Sequence, residues 1–554
     1  MNTLHTYLDE KSFSVNAFLQ FLKENIALVV VSTLTIILVY NAKLTNICFG
    51  VDTELRISSN GYLNWLQIGR FGLVGLQKLW VNFLPSKELF NPYLAVMLGC
   101  IFLFLATLIW CFLIEIFADG LIKKTIYIPF AVVFISHQVW CEQIYFVLQS
   151  AECLFIVLLS PMAVYSFFTG VTKSDFKQII FGSLLTVLCT SVYQGVLILI
   201  FCGIFAVFVM FYENTKLEKK EYSRLCITLL ILMFASAATY FILNKIVQIG
   251  LHVEKSDYLS KMIGNDRNSV VWAILNIGVY IYKLVFAHFS PITHIAEPIM
   301  ARTARTGWTA VEQIRGSSLM SNILLVPFGI AYVVFVLKEK KKSFFYVTVA
   351  LCVLLTCFAL VIVGGGDAPL RSQYVLPFAI AFIMMYVVSK LHKKTFILAF
   401  TLFSLVGVKQ SLVCSMLNYS DVMRYEADVR LSAEIAERIN EVSTNNEIPV
   451  FLYGVHHPLF SSNYVKGEVC AYSPFEWDNG ASIRDTTSRG IGFMKTQGYN
   501  LTAVALDDTA LIEKSRNCAK SMPDFPAKES VKNLGDVIIV RLSESSYNPK
   551  KDSK

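Results

Sequence analysis

Eleven apolar runs divide this chain, at residues 25–45, 91–117, 124–137, 149–169, 178–192, 195–213, 225–248, 320–337, 343–363, 374–389 and 395–415. A helix that crosses a bilayer needs about 20 mainly apolar residues, all of them hydrogen-bonded within the segment. The third and fifth runs are short, and must tilt into protein or borrow polar residues at one end. Composition agrees with the runs. Of 554 residues, 55% are hydrophobic and 16% charged, where a soluble protein carries about a quarter charged. The expected fold class is an all-α polytopic membrane protein of about 11 transmembrane helices.

The linkers set the orientation. Lys123 and Lys124, Lys173 and Lys177, the cluster Lys216, Lys219, Lys220 and Arg224, the cluster Lys338 and Lys340 to Lys342, and Lys390, Lys393 and Lys394 occupy every second linker. Basic linkers stay in the cytoplasm, so the N-terminus is expected inside and, after an odd number of spans, the C-terminus outside. The net charge of +8 comes from these clusters and is not a nucleic-acid footprint. The first 24 residues are amphipathic and charged, and no small-residue cleavage pattern follows the first run, so no removable signal is expected. The external linkers are then 46–90, 138–148, 191–194, 249–319 and 364–373. Within the longest, "WAILNIGVYIYKLVFAHF" is apolar but interrupted by Asn276, Lys283 and His288. It reads as an amphipathic helix lying on the membrane, since a twelfth span would put the downstream lysines outside.

From about residue 416 the pattern changes. Charged and apolar residues recur at helical spacing, and "IPVFLYGV" (448–455) and "DVIIVRLS" (536–543) read as buried strands. Two domains are expected: a transmembrane part, 1–415, and a soluble α/β part, 416–554, long enough to bury a core. Cys470 and Cys518 are the only cysteines of that part, and could pair in an oxidising compartment.

The first external linker carries the chemistry. Asp52 and Glu54 stand just beyond the first run, where a carboxylate can serve as general base for a sugar hydroxyl; taken alone, they would equally solvate a helix end. Arg56 lies four residues beyond Asp52, within reach on one helix face. Gly69 and Arg70 follow among Trp65, Phe71 and Trp80, as in an interfacial helix. Acids, bases and interfacial aromatics together suit a lipid-linked anionic substrate.

"VDTELRISSNGYLNWLQIGRFG" resembles the first external loop of the Gtr-type O-antigen glucosyltransferases of bacteria and their phages. Their pattern is an acid pair, an Arg shortly after, a Gly, then Gly-Arg, matched here by Asp52, Arg56, Gly61, Gly69 and Arg70. Thr53 intervenes before Glu54, where the family commonly has adjacent aspartates, so which carboxylate is the base stays open. "WCEQIYFVLQSAE" (140–152) and "SVYQG" (191–195) are similar to segments lining the family's outer cavity. The likeness covers most of residues 45–415.

The resemblance implies a membrane-embedded inverting glycosyltransferase of the GT-C type in the bacterial inner membrane. It would move a hexose, glucose by the family, from undecaprenyl-phosphate-hexose to O-antigen on the periplasmic side. It would work beside a carrier-loading glucosyltransferase and a flippase, without a cofactor. Asp52 and Glu54 are then the catalytic candidates. Arg56, Arg70 and Arg371 are candidates for donor phosphate, since a guanidinium binds phosphate oxygens in a planar fork; Arg302, Arg305 and Arg315 are rivals. "GGGDAPLRSQY" (364–374) is no Walker loop, because no Gly-Lys-Ser/Thr follows. Trp140, Glu142, Gln143, Tyr145, Glu152, Tyr193, Gln194 and Asp367 could hold sugar or acceptor, through hydroxyl hydrogen bonds and ring stacking. Glu152 falls inside an apolar run, where an acid is costly. His456 and His457 lack a third ligand at metal spacing, so no metal is expected. The alternative is a transporter or flippase for a lipid-linked saccharide, which should concentrate polar residues at mid-span rather than at one face. The hexose, acceptor residue and linkage have no readable code.

Overall fold

The apolar runs fold as helices, but unequal ones. The computed structural model describes residues 13–54, 62–83, 91–215, 219–254, 256, 270–286, 319–338, 344–364, 368–445, 447–457, 464–477 and 483–543. Arg56, Gly61, Arg302, Arg305, Arg315 and Asp367 lie outside these residues, as does the side chain of Trp80.

The chain opens with α1 (Val15–Glu24), α2 (Ile26–Thr45), α3 (Leu63–Gln67), α4 (Phe71–Phe83) and α5 (Pro92–Ala118). It continues with α6 (Tyr127–Ile135), α7 (Gln138–Tyr145), α8 (Val147–Lys173), α9 (Phe176–Val192), α10 (Val196–Asn214) and α11 (Lys219–Gly250). Then come α12 (Val270–Val285), α13 (Leu325–Lys338), α14 (Phe344–Leu355), α15 (Ala359–Gly364), α16 (Val375–Ser389) and α17 (Lys393–Val442). Local chemistry fixes several ends. Asn91 caps α5 by accepting from Leu94 N at 3.1 Å, with Pro92 just inside. Asp175 caps α9 by accepting from Lys177 N at 2.9 Å.

Seven helical stretches reach the length and apolarity for a crossing: α2, α5, α8, α10, α11, residues 344–363 and α17. Helix length and apolarity therefore support seven crossings among the described residues, where the sequence runs count eleven. The run 124–137 shows why. Its helix, α6, has nine residues, about 14 Å at 1.5 Å per residue, and His137 then starts α7 by accepting from Val139 N at 3.3 Å. Most of α6 and every residue of α7 are buried, as is nearly all of α16, so these short helices are enclosed by α8, α10, α13 and α17 rather than by lipid.

Exposure supports the membrane reading. Ile227, Ile231, Phe234, Phe241 and Ile242 line the outside of α11. On α12, Asn276 and Lys283 face inward while Val271 and Ile274 are exposed, the arrangement that lipid contact favours. At one end of the bundle Glu213 is buried against Lys390 and accepts from the Tyr346 and Tyr386 hydroxyls, both at 2.7 Å.

Residue 416 falls inside α17, which runs unbroken for 50 residues, about 75 Å. Beyond it come β1 (Val450–Gly454), α18 (Ile483–Thr496), α19 (Thr509–Ala519), β2 (Val531–Asn533) and β3 (Ile538–Ser543). The sheet order is β1-β3-β2, with β1 parallel and β2 antiparallel to β3. Both strands expected from the sequence are present. Val450, Leu452, Ile538 and Val540 pack with α17 and α18; Phe451 and Ile539 pack with α19 on the other face. Burial on both faces explains why these strands read as continuous apolar runs. The C-terminal part is not sealed off from the bundle: Cys48, Phe49 and Val147 join its core, and Val469, Cys470 and Ala471 join the bundle's.

Candidate active site

Past α2 the chain turns sharply. Thr53 N donates to Gly50 O at 3.4 Å, and Asp52 takes the left-handed conformation (φ 72°), which short polar side chains tolerate. The turn sends the two acids opposite ways: the Asp52 side chain is 55% exposed and that of Glu54 is fully buried. Arg489 of α18 bridges them, its Nη1 donating at 2.9 Å to both Asp52 Oδ1 and Glu54 Oε1. Burial pushes the Glu54 carboxyl up to about 7; Arg489 opposes that rise and Asp52 adds to it.

Beneath the turn lies a buried ionic network. Asp421 pairs with Lys43 and, at 2.6 Å, with Arg424; Arg424 also pairs with Asp428 at 3.0 Å. Arg424 Nη2 donates to Phe49 O at 2.9 Å, and Ser473 Oγ to Asp428 Oδ1 at 2.6 Å. Ions this deep persist only when paired and hydrogen-bonded, and here their partners come from α2, α17 and the segment 464–477. Tyr145 adds a second tie. Its hydroxyl accepts from Val51 N at 3.1 Å and donates to Tyr472 O at 2.7 Å.

The other candidates of the first linker gather around Arg70. Its guanidinium lies 4.2 Å over the Tyr193 ring, and Nη1 donates to Gln149 Oε1 at 2.8 Å. Its Nε is buried with no hydrogen-bond partner among the described residues. Tyr193 stacks on Tyr374 at 5.1 Å; Tyr374 meets Trp140 at 5.5 Å and donates to Gln143 Oε1 at 2.9 Å. Gln194 Nε2 donates to Ile68 O at 2.8 Å and the Tyr240 hydroxyl at 2.9 Å. Gly69, at φ 82°, lets Tyr240 approach: a Cβ there would lie 2.7 Å from its hydroxyl. Arg371 lies 4.9 Å over Phe146. Glu152, half-buried on α8, has Gln77 of α4 beside it.

Four of the residues expected to hold sugar are fully buried. The Trp140 indole donates to Phe134 O at 2.6 Å. Glu142 receives Gln138 Nε2 and Glu468 N on Oε1, at 2.8 and 2.7 Å, and Val469 N and Cys470 N on Oε2, at 2.9 and 2.8 Å. Trp140, Glu142, Gln143 and Tyr145 thus hold the protein together around the site. Arg70, Arg371, Glu152 and Gln194 keep partial exposure.

One expectation for the C-terminal part changes. Cys470 and Cys518 are both free thiols; Cys470 packs into the bundle's core and Cys518 lies on α19, against the outer face of the sheet, so no disulfide joins them. His457 bonds Glu476 at 2.6 Å, with Lys466 Nζ 2.8 Å from the same carboxylate, and among the described residues no group of three or more His, Cys, Asp or Glu is arranged for a metal. Sequence reasoning missed Arg489, Lys43, Gln149 and the Asp421, Arg424, Asp428 set. The last had a signal, since spacings of three and four residues place all three on one helix face; so did Lys43, a lysine inside an apolar run. Arg489 had none.

A family model described as Glucosyl transferase GtrII matches residues 41–388. The span begins within α2, includes Asp52, Glu54, Arg70, α7 and Arg371, and ends before α17. No curated protein and no solved structure matches the chain.

Proposed function

The chain belongs to the glucosyl transferase GtrII family, and from that premise we propose that it is an inverting, GT-C type enzyme moving glucose from a polyprenyl-phosphate carrier to O-antigen. The observation that carries the reading is the juxtaposition of one open and one sealed carboxylate in the turn after α2. Asp52 is reachable from solvent, and so from an acceptor hydroxyl. Glu54 is enclosed beneath it, with Arg489 between. Carboxylates split in this way by environment commonly take different parts in catalysis.

Asp52 acts as the base. It accepts the proton of the acceptor hydroxyl as that oxygen bonds to the anomeric carbon from the face opposite the carrier. The carbon–oxygen bond to the phosphate breaks, and its electron pair leaves with polyprenyl phosphate. Arg70 meets that phosphate: Tyr193 and Gln149 hold the guanidinium in place, and its Nε has no hydrogen-bond partner among the described residues. Arg371 is the second phosphate candidate. Gln194, Glu152 and Tyr193 line the sugar side, with Trp140, Gln143, Glu142 and Tyr145 as their supports. The acid-bearing end of the bundle faces the periplasm, with the N-terminus in the cytoplasm, as the basic linkers favour. The clustering of acids and arginines at one end argues against a lipid-linked saccharide transporter.

The test is transfer from polyprenyl-phosphate-glucose by equal amounts of folded variants. Asp52→Asn should lower turnover about 10²–10⁴-fold, the range for a lost general base, with donor binding retained. Near-normal turnover in both Asp52→Asn and Glu54→Gln would sink the reading.

A further inference from the structure

Arg489 lies about a hundred residues beyond the family-matched span, yet its side chain touches both acids. It is firmly seated. Thr487 Oγ1 accepts from Leu452 N at 3.0 Å and donates to Leu452 O at 3.1 Å, tying α18 to β1. Phe493 meets Phe49 at 5.7 Å and Tyr425 at 5.6 Å, and Gly492 packs on the Glu54 side chain. The Arg489 side chain is 12% exposed, so its head is enclosed between α18 and the acid turn.

One nitrogen shared by two carboxylates fixes their separation and orientation. It also supplies the cation that lets a sealed acid and its neighbour sit side by side, since like charges this close otherwise repel. We infer that Arg489 is a positioning residue of the catalytic centre, delivered by the C-terminal segment to hold Asp52 in the orientation from which it takes the acceptor proton. The inference rests on the reading of Asp52 as the base. It makes the segment beyond the family-matched span a working part of the site.

Three full-length variants test it, assayed in vesicles with polyprenyl-phosphate-glucose across a range of pH. Arg489→Gln removes the shared cation. Turnover should fall on the order of 10²-fold, the cost of misplacing a reacting group by about 1 Å. The acidic limb of the rate profile should move to higher pH, because the cation that favours the ionised pair is gone. Arg489→Lys keeps the charge, but its nitrogen ends one bond short of both acceptors. It should hold the limb near the wild-type position and lose about 10-fold in turnover. Lys495→Gln, an exposed change on the same helix, should behave as wild type.

Wild-type turnover with an unmoved limb in either Arg489 variant overturns the inference. So does an equal loss of turnover in both with the limb unmoved, which would make Arg489 a packing residue. Should the glutamine chain fail to fold, wild-type turnover in Arg489→Lys alone overturns the shared-nitrogen geometry. The underlying reading fails separately: normal turnover in Asp52→Asn removes the base, whereas an inactive Asp52→Asn beside a normal Arg489→Gln removes only this inference.

Discussion

Glu142→Gln is the sharpest perturbation of the contact between bundle and C-terminal segment. The carboxylate is buried and accepts four hydrogen bonds, three of them from the consecutive backbone N–H groups of Glu468, Val469 and Cys470. Glutamine has the same shape, but one oxygen becomes an NH₂ group. At Oε1 that group would confront Gln138 Nε2 and Glu468 N; at Oε2 it would confront Val469 N and Cys470 N. Either way two bonds become donor against donor. A hydrogen bond to a charged group contributes about 1.5–3 kcal/mol, so losing two costs about 3–6 kcal/mol. Hydrogen exchange on the full-length protein in detergent should show faster exchange at amides 468–470, with a lower unfolding midpoint. Gly467→Ala should reproduce the effect, because its Cβ would sit 2.1 Å from Glu142 Oε1. Unchanged protection and midpoint in Glu142→Gln would refute the clamp and return Glu142 to the sugar-binding candidates.

Other outcomes follow from the same geometry. Arg70→Ala should raise KM for the lipid-linked donor about 10- to 100-fold, the loss of one charged hydrogen bond, with a smaller effect on kcat; steady-state kinetics decide. Arg424→Met takes from Asp428 its paired guanidinium and from Asp421 one of its two cations, Lys43 remaining, and should cost about 3–5 kcal/mol in chemical unfolding. Glu54 sets a pH dependence. Burial raises its carboxyl from the ordinary 4.5 to about 7, so its contribution to stability is present below pH 4.5 and lost as pH rises through 7. The unfolding midpoint of Glu54→Gln should therefore fall less than that of wild type across that window. Reporters fused after Lys394 and at the C-terminus should read cytoplasmic and periplasmic respectively, and a cytoplasmic C-terminus would invert the proposed sidedness.

The membrane class and both core strands were legible in the sequence, because apolar runs and strand burial leave a pattern in every residue they involve. Individual crossings were less so. A run such as 124–137 has the composition of a span, but what makes α6 and α16 short is the protein packed around them, which a linear pattern does not record. The acid turn was legible as a motif, while its geometry was not. The motif does not distinguish exposed Asp52 from sealed Glu54, because the left-handed turn at Asp52 separates them and Glu54 is covered by α18, from a distant part of the chain. Trp140, Glu142, Gln143 and Tyr145 are fully buried, which their sequence context did not foretell. Polar residues beside rings read as a sugar cradle, and only the backbone N–H groups of 468–470 reveal that Glu142 is already engaged.

The tie between Arg489 and Asp52 also has a consequence for biosynthesis. The first loop to leave the ribosome is completed by one of the last segments to do so, and at about 5–20 residues per second the interval is roughly 20–90 s. Throughout that interval the acids lack their shared cation, and for most of it Lys43 lacks Asp421. A chain terminated before Arg489 would then turn over more slowly than the finished one. Cys48, buried against Asp421 and Arg424, can report the event. Its thiol should react with a small alkylating reagent in chains halted before residue 421 and resist it in finished ones; equal protection in both would show that the loop closes without the segment that follows.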